Sequence, residues 1–386
     1  MKKLTKKQKI MATVEMLAAA VVIVAAVIVA PKLGAAKEEN DSSENATAQE
    51  TQVTETPTTT EPAPENGGVQ PIGDYSLSGY IVVSNDAAME MYSIAKKSLL
   101  SYADTVNNLA AKVPSSSIYV ILAPTRIEFY GPEEYRTGSH SQKDGIGIAY
   151  GQLSPFVTGI DAYTEIARHT DEYLYFRTDH HWTARGAYYG YKAFCNTALL
   201  DCPALDSYER GQLDDFVGSM YRYTQSENLK NNPDYVEYFM PQVEASGQFF
   251  STGAMDDGKN LKIISTNITE QSSKYLAFIQ GDKPLIKMTS NCGSGKKILL
   301  IKESYGNALA PFLLQNFSEV YVLDPRQKSI QGLNLPQFLT DNAIDNVLFC
   351  NYTMVPSNSK YMDALNDMIN QDIAAAAEVS ADAAAQ

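Results

Sequence analysis

Short apolar runs and amphipathic stretches alternate along much of the chain. Four apolar runs bounded by polar or turn residues predict buried β-strands, namely Ile118–Ala123, Lys297–Lys302, Val320–Leu323 and Asn346–Cys350. Apolar residues at helical spacing predict helices over Ala87–Lys112, Thr183–Leu200, Tyr305–Asn316 and Leu335–Asn342. Between Leu205 and Ser290 the pattern is irregular and rich in tyrosine, and there we expect strands of an insertion or of a sheet edge. The alternation predicts an α/β fold in which helices flank a mostly parallel sheet.

The first 36 residues follow a different pattern. Five lysines precede an apolar run from Met16 to Ala30, which residues 10–14 extend past the roughly 20 residues that a bilayer requires. Lysines on the N-terminal side favour a cytoplasmic start and an exported remainder. We therefore expect a single-pass anchor in the cell membrane with an extracellular C-terminal domain. The small residues at 34–36 leave a cleaved signal peptide and a secreted domain as the alternative.

Residues 37–72 consist largely of Thr, Glu and Pro and predict a disordered spacer between membrane and domain. This segment carries eight acidic residues and one lysine, which is half of the formal net charge of −14. The folded part, expected over residues 73–370, is therefore only mildly acidic. No basic face of the kind that nucleic-acid binding requires is visible in the sequence. An alanine-rich tail occupies residues 371–386.

The four cysteines show neither a CxxC pair nor the spacing of a zinc site. Cys195 and Cys202 are seven residues apart, which on one continuous helix spans about 10 Å and is too far for a disulfide. A bridge between them would require the helix to end in the interval. We expect Cys195, Cys202, Cys292 and Cys350 to be free and mostly buried thiols.

Ser304 lies where the predicted strand Lys297–Lys302 meets the predicted helix Tyr305–Asn316. Ligands of open α/β sheets bind at the carboxyl ends of strands. Backbone N–H groups at such a helix start can also stabilise an oxyanion. A serine in this position is a candidate nucleophile, with simple capping of the helix N-terminus as the alternative.

A second cluster, Asp179-His180-His181-Trp182, contains two of the four histidines and the only tryptophan. A serine nucleophile needs a base, and the base needs an orienting carboxylate. In an extended segment Asp179 and His181 project to one face, which would place the carboxylate against the imidazole, while His180 would point the other way. Two alternatives remain open: Asp-His-His as metal ligands, and histidines satisfied within the core.

These residues carry a resemblance to a known family. The run "TDHHWTARGAYYGY" resembles the signature of the DHHW protein family of Gram-positive bacteria, which is similar to the AlgX and AlgJ proteins of alginate O-acetylation and their SGNH-hydrolase-like domain. The segments "IYVILAPTR", "YLAFIQGDKPLIKMTS" and "KKILLIKESYGNALAPFL" resemble further parts of the family. The resemblance covers about residues 73–370.

The resemblance implies an SGNH-hydrolase-like fold with a permuted order, in which Asp179 and His181 precede Ser304. Ser304 would be the nucleophile, His181 the base and Asp179 its orienting acid. The family usually has Asp before this serine, where this chain has Glu303. From their positions we also predict His180, Trp182, Tyr305 and Arg326 as substrate contacts, with plain packing as an equal alternative for Trp182. No metal and no cofactor are expected.

The implied activity is O-acetyl transfer to a cell-surface or secreted polysaccharide through an acetyl-enzyme. A membrane-bound O-acyltransferase would be the partner that delivers the acetyl group. A polysaccharide acetylesterase with the same three residues and a non-catalytic wall or polysaccharide-binding protein are the alternatives.

Overall fold

A computed structural model describes residues 73–84 and 86–371. The predicted anchor, the predicted spacer and nearly all of the alanine-rich tail lie outside these described residues. Within the described residues, no helix combines the length and the apolar character needed to cross a membrane.

Strands and helices alternate through most of the described chain. The strands are β1 (Tyr75–Ser78), β2 (Ile81–Ser84), β3 (Ala88–Glu90), β4 (Ser117–Ala123), β5 (Val157–Gly159), β6 (Arg210–Phe216), β7 (Asp234–Phe239), β8 (Ala245–Phe250), β9 (Lys259–Leu261), β10 (Leu285–Ser290), β11 (Lys297–Lys302), β12 (Glu319–Leu323) and β13 (Asn346–Tyr352). The α-helices are α1 (Lys96–Lys112), α2 (Arg126–Tyr130), α3 (Gln142–Tyr150), α4 (Ala162–Ala167), α5 (Ala184–Ala198), α6 (Ser219–Thr224), α7 (Glu227–Asn231), α8 (Gly306–Leu309), α9 (Leu335–Asp341) and α10 (Ser359–Ile369). Short 3-10 helices occupy Glu133–Tyr135, Gly138–His140, Leu205–Ser207, Gln271–Ala277, Ala310–Gln315, Lys328–Ile330 and Val355–Ser357.

The main sheet has eight strands in the order β5-β4-β13-β11-β12-β10-β8-β9. The first five strands of this order pair in parallel. The last three are attached by antiparallel pairing. The predicted mostly parallel sheet is therefore present, and the irregular, tyrosine-rich region supplies β8, β9 and β10 at one side of it. The same region forms the separate β6–β7 ladder.

Alternate residues of the central strand enter two different cores. Ile298 and Leu300 of β11 pack into the core that contains α5 and α8. Leu299 and Ile301 pack into the core that contains α1, α9 and α10. Helices thus cover both faces of the sheet, which is why its central strands are apolar without interruption.

Two predicted helices differ from the structure. The helix predicted from Ala87 begins only at Lys96, because Ala88–Glu90 instead forms β3 and pairs with β2. The helix predicted over Tyr305–Asn316 consists of α8 followed by the 3-10 helix Ala310–Gln315. Pro311 has no N–H to donate within the helix, which accounts for the change.

All four cysteines are free thiols. Helix α5 does end between Cys195 and Cys202, at a left-handed Leu199 with φ 53°. Cys195 and Cys350 are buried, whereas Cys202 and Cys292 are only partly buried. The prediction that the four cysteines are free thiols is confirmed, and the prediction that they are buried holds for Cys195 and Cys350.

Candidate active site

Ser304 lies at the carboxyl end of the central strand β11, at the start of a sharp turn into α8. The backbone N–H of Asn307 bonds to the carbonyl of Ser304 at 3.2 Å and closes the turn. A Cβ added at Gly306 would lie 2.4 Å from the Cβ of Lys302, so the turn requires glycine there. The strand end thus presents the Ser304 side chain at the edge of the sheet where parallel α/β proteins bind ligands.

The side chains of Ser304, His181 and Asp179 form a continuous hydrogen-bonded array. The Oγ of Ser304 lies 2.7 Å from Nε2 of His181. The Nδ1 of His181 lies 2.6 Å from Oδ1 of Asp179. Because an ionised carboxylate can only accept, His181 donates from Nδ1, and its Nε2 lone pair accepts the Ser304 hydroxyl proton. The predicted convergence of the three side chains is confirmed, and Ser304 does not cap the helix.

The Asp-His-His-Trp segment is a tight bend and not the extended segment that the prediction assumed. Asp179 Oδ1 accepts the backbone N–H of His181 at 3.0 Å, and Tyr175 and Trp182 form an antiparallel bridge across the bend. In such a bend neighbouring side chains need not alternate. The rings of His180 and His181 have centroids 3.8 Å apart, and both line the same cavity. The prediction that His180 points away from the site was wrong.

Asp179 is held by the segment that enters α6. Its Oδ2 accepts the backbone N–H of Ser219 at 2.8 Å. Burial alone would raise the pKa of Asp179, but the charges of His181 and His180 and the hydrogen bonds from His181 and Ser219 together lower it below its usual range. Asp179 is therefore ionised over the whole neutral range and keeps His181 in one tautomer.

Ser219 also contacts the second histidine of the motif. Its Oγ lies 2.6 Å from Nδ1 of His180. Burial, followed by the charge of His181, lowers the pKa of His180. Ser219 lies in the irregular region, and nothing in the sequence singled it out.

Tyr275 is a further side chain of the site that the sequence did not reveal. Its ring is stacked on the imidazole of His181, with centroids 4.0 Å apart and planes 11° apart. Its hydroxyl donates to the backbone carbonyl of Ser304 at 3.0 Å. One residue thus fixes both the plane of the base and the backbone of the serine.

Trp182 and Tyr305 are buried behind the array, with no exposed surface. The indole Nε1 of Trp182 donates to the carbonyl of Tyr305 at 2.8 Å, and the Tyr305 hydroxyl donates to the carbonyl of His180 at 2.6 Å. These bonds tie the bend to the turn after β11. The predicted direct substrate contact is therefore wrong for both side chains, and the packing alternative for Trp182 holds.

Glu303, the residue that differs from the family pattern, is also buried. Its carboxyl accepts the backbone N–H of Tyr305 at 3.0 Å and that of Tyr352 at 3.1 Å. Burial raises its pKa. The N–H of Tyr305 is therefore bonded to Glu303 and is not available to a reacting group. The turn after β11 forms with Glu303 in the place of the aspartate that the family usually has.

Arg326 lies beside the site and does not line its cavity. Its guanidinium pairs with Asp324 at 2.7 Å and with Asp282 at 2.6 Å. Asp282 also accepts from the fully buried Lys302 at 2.9 Å and from the side-chain amide of Asn307 at 3.0 Å. The predicted substrate contact of Arg326 is therefore corrected to a supporting role, because its donors hold Asp282 at the cavity wall.

A cavity of about 550 Å³ opens over the array. Asp179, His180, His181, Ser304 and Asn307 are among the residues that line it. Asp179, His180 and His181 also form a group of metal-ligand types whose ligand atoms lie within 4.8 Å of one another. Both ring nitrogens of His181 are engaged, by Asp179 and by Ser304, so a metal at this histidine would have to break the array.

The sequence and the fold are similar to those of known proteins. The family model described as DHHW protein matches residues 34–323 of the chain. The chain is similar to the crystal structure of a DHHW family protein from Eubacterium siraeum, with 29% identity, a TM-score of 0.68, and coverage of 79% of this chain and 100% of the other. It is similar to Bacillus cereus PatB1 with a sulfonyl adduct, with 18% identity, a TM-score of 0.61, and coverage of 75% and 99%.

A further similarity is to the O-acetyltransferase domain of Pseudomonas putida AlgJ, with 14% identity, a TM-score of 0.40, and coverage of 70% and 89%. No curated protein is similar enough to the chain to be matched with it.

Proposed function

Because the chain belongs to the DHHW protein family, as the Asp-His-His-Trp motif predicted, we propose that it is an O-acetyltransferase that acts on a polysaccharide outside the cytoplasm. The observation that carries this proposal is the Ser304–His181–Asp179 array, with its separations of 2.7 and 2.6 Å, in the lining of a cavity. Nucleophile, base and orienting carboxylate at such distances are the arrangement that acyl transfer requires.

In the first half-reaction, His181 Nε2 takes the proton of the Ser304 hydroxyl as Oγ attacks the carbonyl carbon of an acetyl ester. The tetrahedral intermediate collapses as His181 returns the proton to the departing alcohol, which leaves an acetyl ester on Ser304. Asp179 stabilises the imidazolium that forms between these two steps. The side-chain amide of Asn307, held by Asp282, is the candidate donor to the developing oxyanion.

In the second half-reaction, a hydroxyl of the polysaccharide gives its proton to His181 and attacks the acetyl carbonyl. Ser304 leaves as the alkoxide and regains a proton from His181, so the enzyme is regenerated and the acetyl group is on the sugar. The fixed ring of Tyr275 keeps His181 in the plane that both half-reactions need.

The proposal includes an acetyl donor presented at the membrane by a membrane-bound O-acyltransferase. It also includes anchoring of the chain by its basic and apolar N-terminal segment. The lysines of residues 1–9 and the apolar run that follows support this orientation.

Water could take the place of the polysaccharide hydroxyl, which would make the protein an acetylesterase. The chemistry of the acetyl-enzyme is the same in both cases, and only the acceptor differs. The cavity is open to solvent, which keeps hydrolysis as the second candidate. A non-catalytic, polysaccharide-binding role is less well supported, because binding alone has no need of a serine hydroxyl that is hydrogen-bonded to a histidine oriented by an aspartate.

The test is the turnover of p-nitrophenyl acetate by the purified chain, with and without glycan acceptors. Ser304→Ala should lower turnover by several orders of magnitude, since the covalent route is lost. It should change the melting temperature little, because Ser304 caps no helix. Ser115→Ala, at an exposed serine far from the array, is the matched control.

Mass spectrometry should also find an acetyl group, or the sulfonyl group of an aryl sulfonyl fluoride, on Ser304 and on no other serine. Acetyl found on an added glycan supports the transferase, and release of acetate alone supports the esterase. Wild-type turnover by Ser304→Ala would refute both.

A further inference from the structure

One arginine that lines the cavity has no carboxylate partner among the described residues. Of its charged lining residues, Asp179 is bonded to His181 and Ser219, and Asp282 is paired with two cations. Arg222 also lines the cavity, and among the described residues no carboxylate oxygen lies within 4.0 Å of its guanidinium. A lining cation without a counter-ion can pair with an anionic group of a ligand.

Arg222 shares a helix with a residue that contacts the site. It lies in α6 three residues after Ser219, and residues three apart lie on one face of a helix. Gln225 follows after a further three residues and lines the same cavity. Ser219 contacts His180 through its side chain, so the helix that carries Arg222 begins at the site. At a rise of about 1.5 Å per residue, the backbone of Arg222 lies about 4.5 Å along the helix axis from that of Ser219.

The surroundings of Arg222 suit a saccharide. The lining of the same cavity includes Ser272, Ser273 and the half-exposed Leu276. The guanidinium carbon of Arg222 lies 5.3 Å from the ring centroid of Tyr223, whose side chain is 51% exposed. Hydroxyls, an amide and exposed aromatic surface beside one cation are the groups that a charged sugar can use.

From this arrangement we infer that Arg222 binds an anionic group, a carboxylate or a phosphate, of the acceptor that occupies the cavity. This inference rests on the proposed function for the identity of the acceptor. Guanidinium donors bind either oxyanion in a bidentate manner. Half of the formal net charge of −14 lies in residues 37–72, so the folded part repels an anionic glycan only mildly, and a local cation at the cavity can offset that repulsion.

Binding without an acetyl donor tests the inference independently of catalysis. The full chain is titrated by calorimetry with three probes: a hexasaccharide that alternates glucuronic acid with N-acetylglucosamine, a glycerol-phosphate oligomer, and a neutral N-acetylglucosamine hexamer. Wild type should bind one of the anionic probes more tightly than the neutral one. The preferred anion identifies carboxylate or phosphate as the ligand.

Arg222→Gln should weaken binding of that anionic probe by about 10- to 100-fold, the range for hydrogen bonds to charged groups, and leave binding of the neutral probe within about twofold. Arg222→Lys should retain part of the preference. Lys360→Gln removes an exposed cation outside this cavity and should change neither affinity.

Equal affinities of wild type for charged and neutral probes would overturn the inference, and so would an Arg222→Gln variant that weakens both probes alike. A third outcome separates the two proposals. If wild type neither transfers nor hydrolyses acetyl, but Arg222→Gln still loses the preference for the anionic probe, the proposed function is refuted and the role of Arg222 stands.

Discussion

Substitution of Gly218 by alanine tests how closely the orienting acid is held. A Cβ at position 218 would lie 2.3 Å from the Cβ of Asp179 and 2.4 Å from its Oδ2. Carbon atoms in contact are about 3.5 Å apart, so one of the two groups has to move by roughly 1.2 Å. Neither moves freely, because Asp179 is bonded to both His181 and the N–H of Ser219.

The displacement has a predicted cost for both rate and stability. A misplacement of about 1 Å in a catalytic group can cost about 10²-fold, so we expect kcat/KM for an acetyl ester to fall by about that factor. Overpacking should lower the free energy of unfolding by about 1–3 kcal/mol. The decline in kcat should exceed any change in KM, because the cavity wall changes less than the alignment of His181.

The control is Gly147→Ala. Gly147 lies in α3, where an added Cβ meets no atom within 4 Å, and alanine there should stabilise the helix slightly with no change in rate. Both variants are assayed by initial rates of p-nitrophenyl acetate hydrolysis and by thermal unfolding. A Gly218→Ala variant with wild-type kcat and an unchanged melting temperature would show that Asp179 is not held as described.

Three further predictions concern the charged groups of the site. Asp179→Asn should lower kcat by up to about 10⁴-fold, because the amide puts His181 in the wrong tautomer; a loss under tenfold would contradict the orienting role. His181→Ala should reduce hydrolysis far more than His180→Ala, and equal losses in the two variants would contradict the assignment of the base. Burial alone would raise the pKa of Asp282, but its two cationic partners lower it below its ordinary value. The Asp282 carboxylate therefore stabilises the fold at pH values above its ordinary pKa of about 3.9, and this contribution is lost as the pH falls below that value. Asp282→Asn should therefore lower the melting temperature at pH 7 and flatten its decline in acid, and parallel curves for variant and wild type would contradict this reasoning.

The parallel part of the sheet could be predicted because its signal is local. Strands β4, β11, β12 and β13 are buried on both faces, so each is a continuous apolar run bounded by polar residues. Strand β3 was assigned to a helix because Met89 fits the helical spacing of the apolar residues that follow it, and a strand of three residues is too short to show a clear alternation. Strand β8 is mostly exposed and β9 has only three residues, so neither forms a continuous apolar run, which is why both were only expected in outline.

The residues of the site could be predicted where they lie close together in the sequence or follow a clear strand. Asp179 and His181 are two residues apart, and Ser304 follows the clearest strand in the chain. Tyr275 and Ser219 come from the irregular region, and their roles depend on tertiary contacts that no spacing encodes. The direction of His180 was wrong for a related reason, since a side chain–backbone bond within the motif produces a bend where alternation was assumed.

The indole of Trp182 has a use beyond packing. It is the only tryptophan of the chain, and its N–H is bonded to the carbonyl next to the nucleophile. Intrinsic fluorescence excited at the red edge of the absorption band therefore comes from a single, dry position in direct contact with the active-site turn. The emission of the unmodified protein should thus report acylation of the serine in real time, without an attached dye.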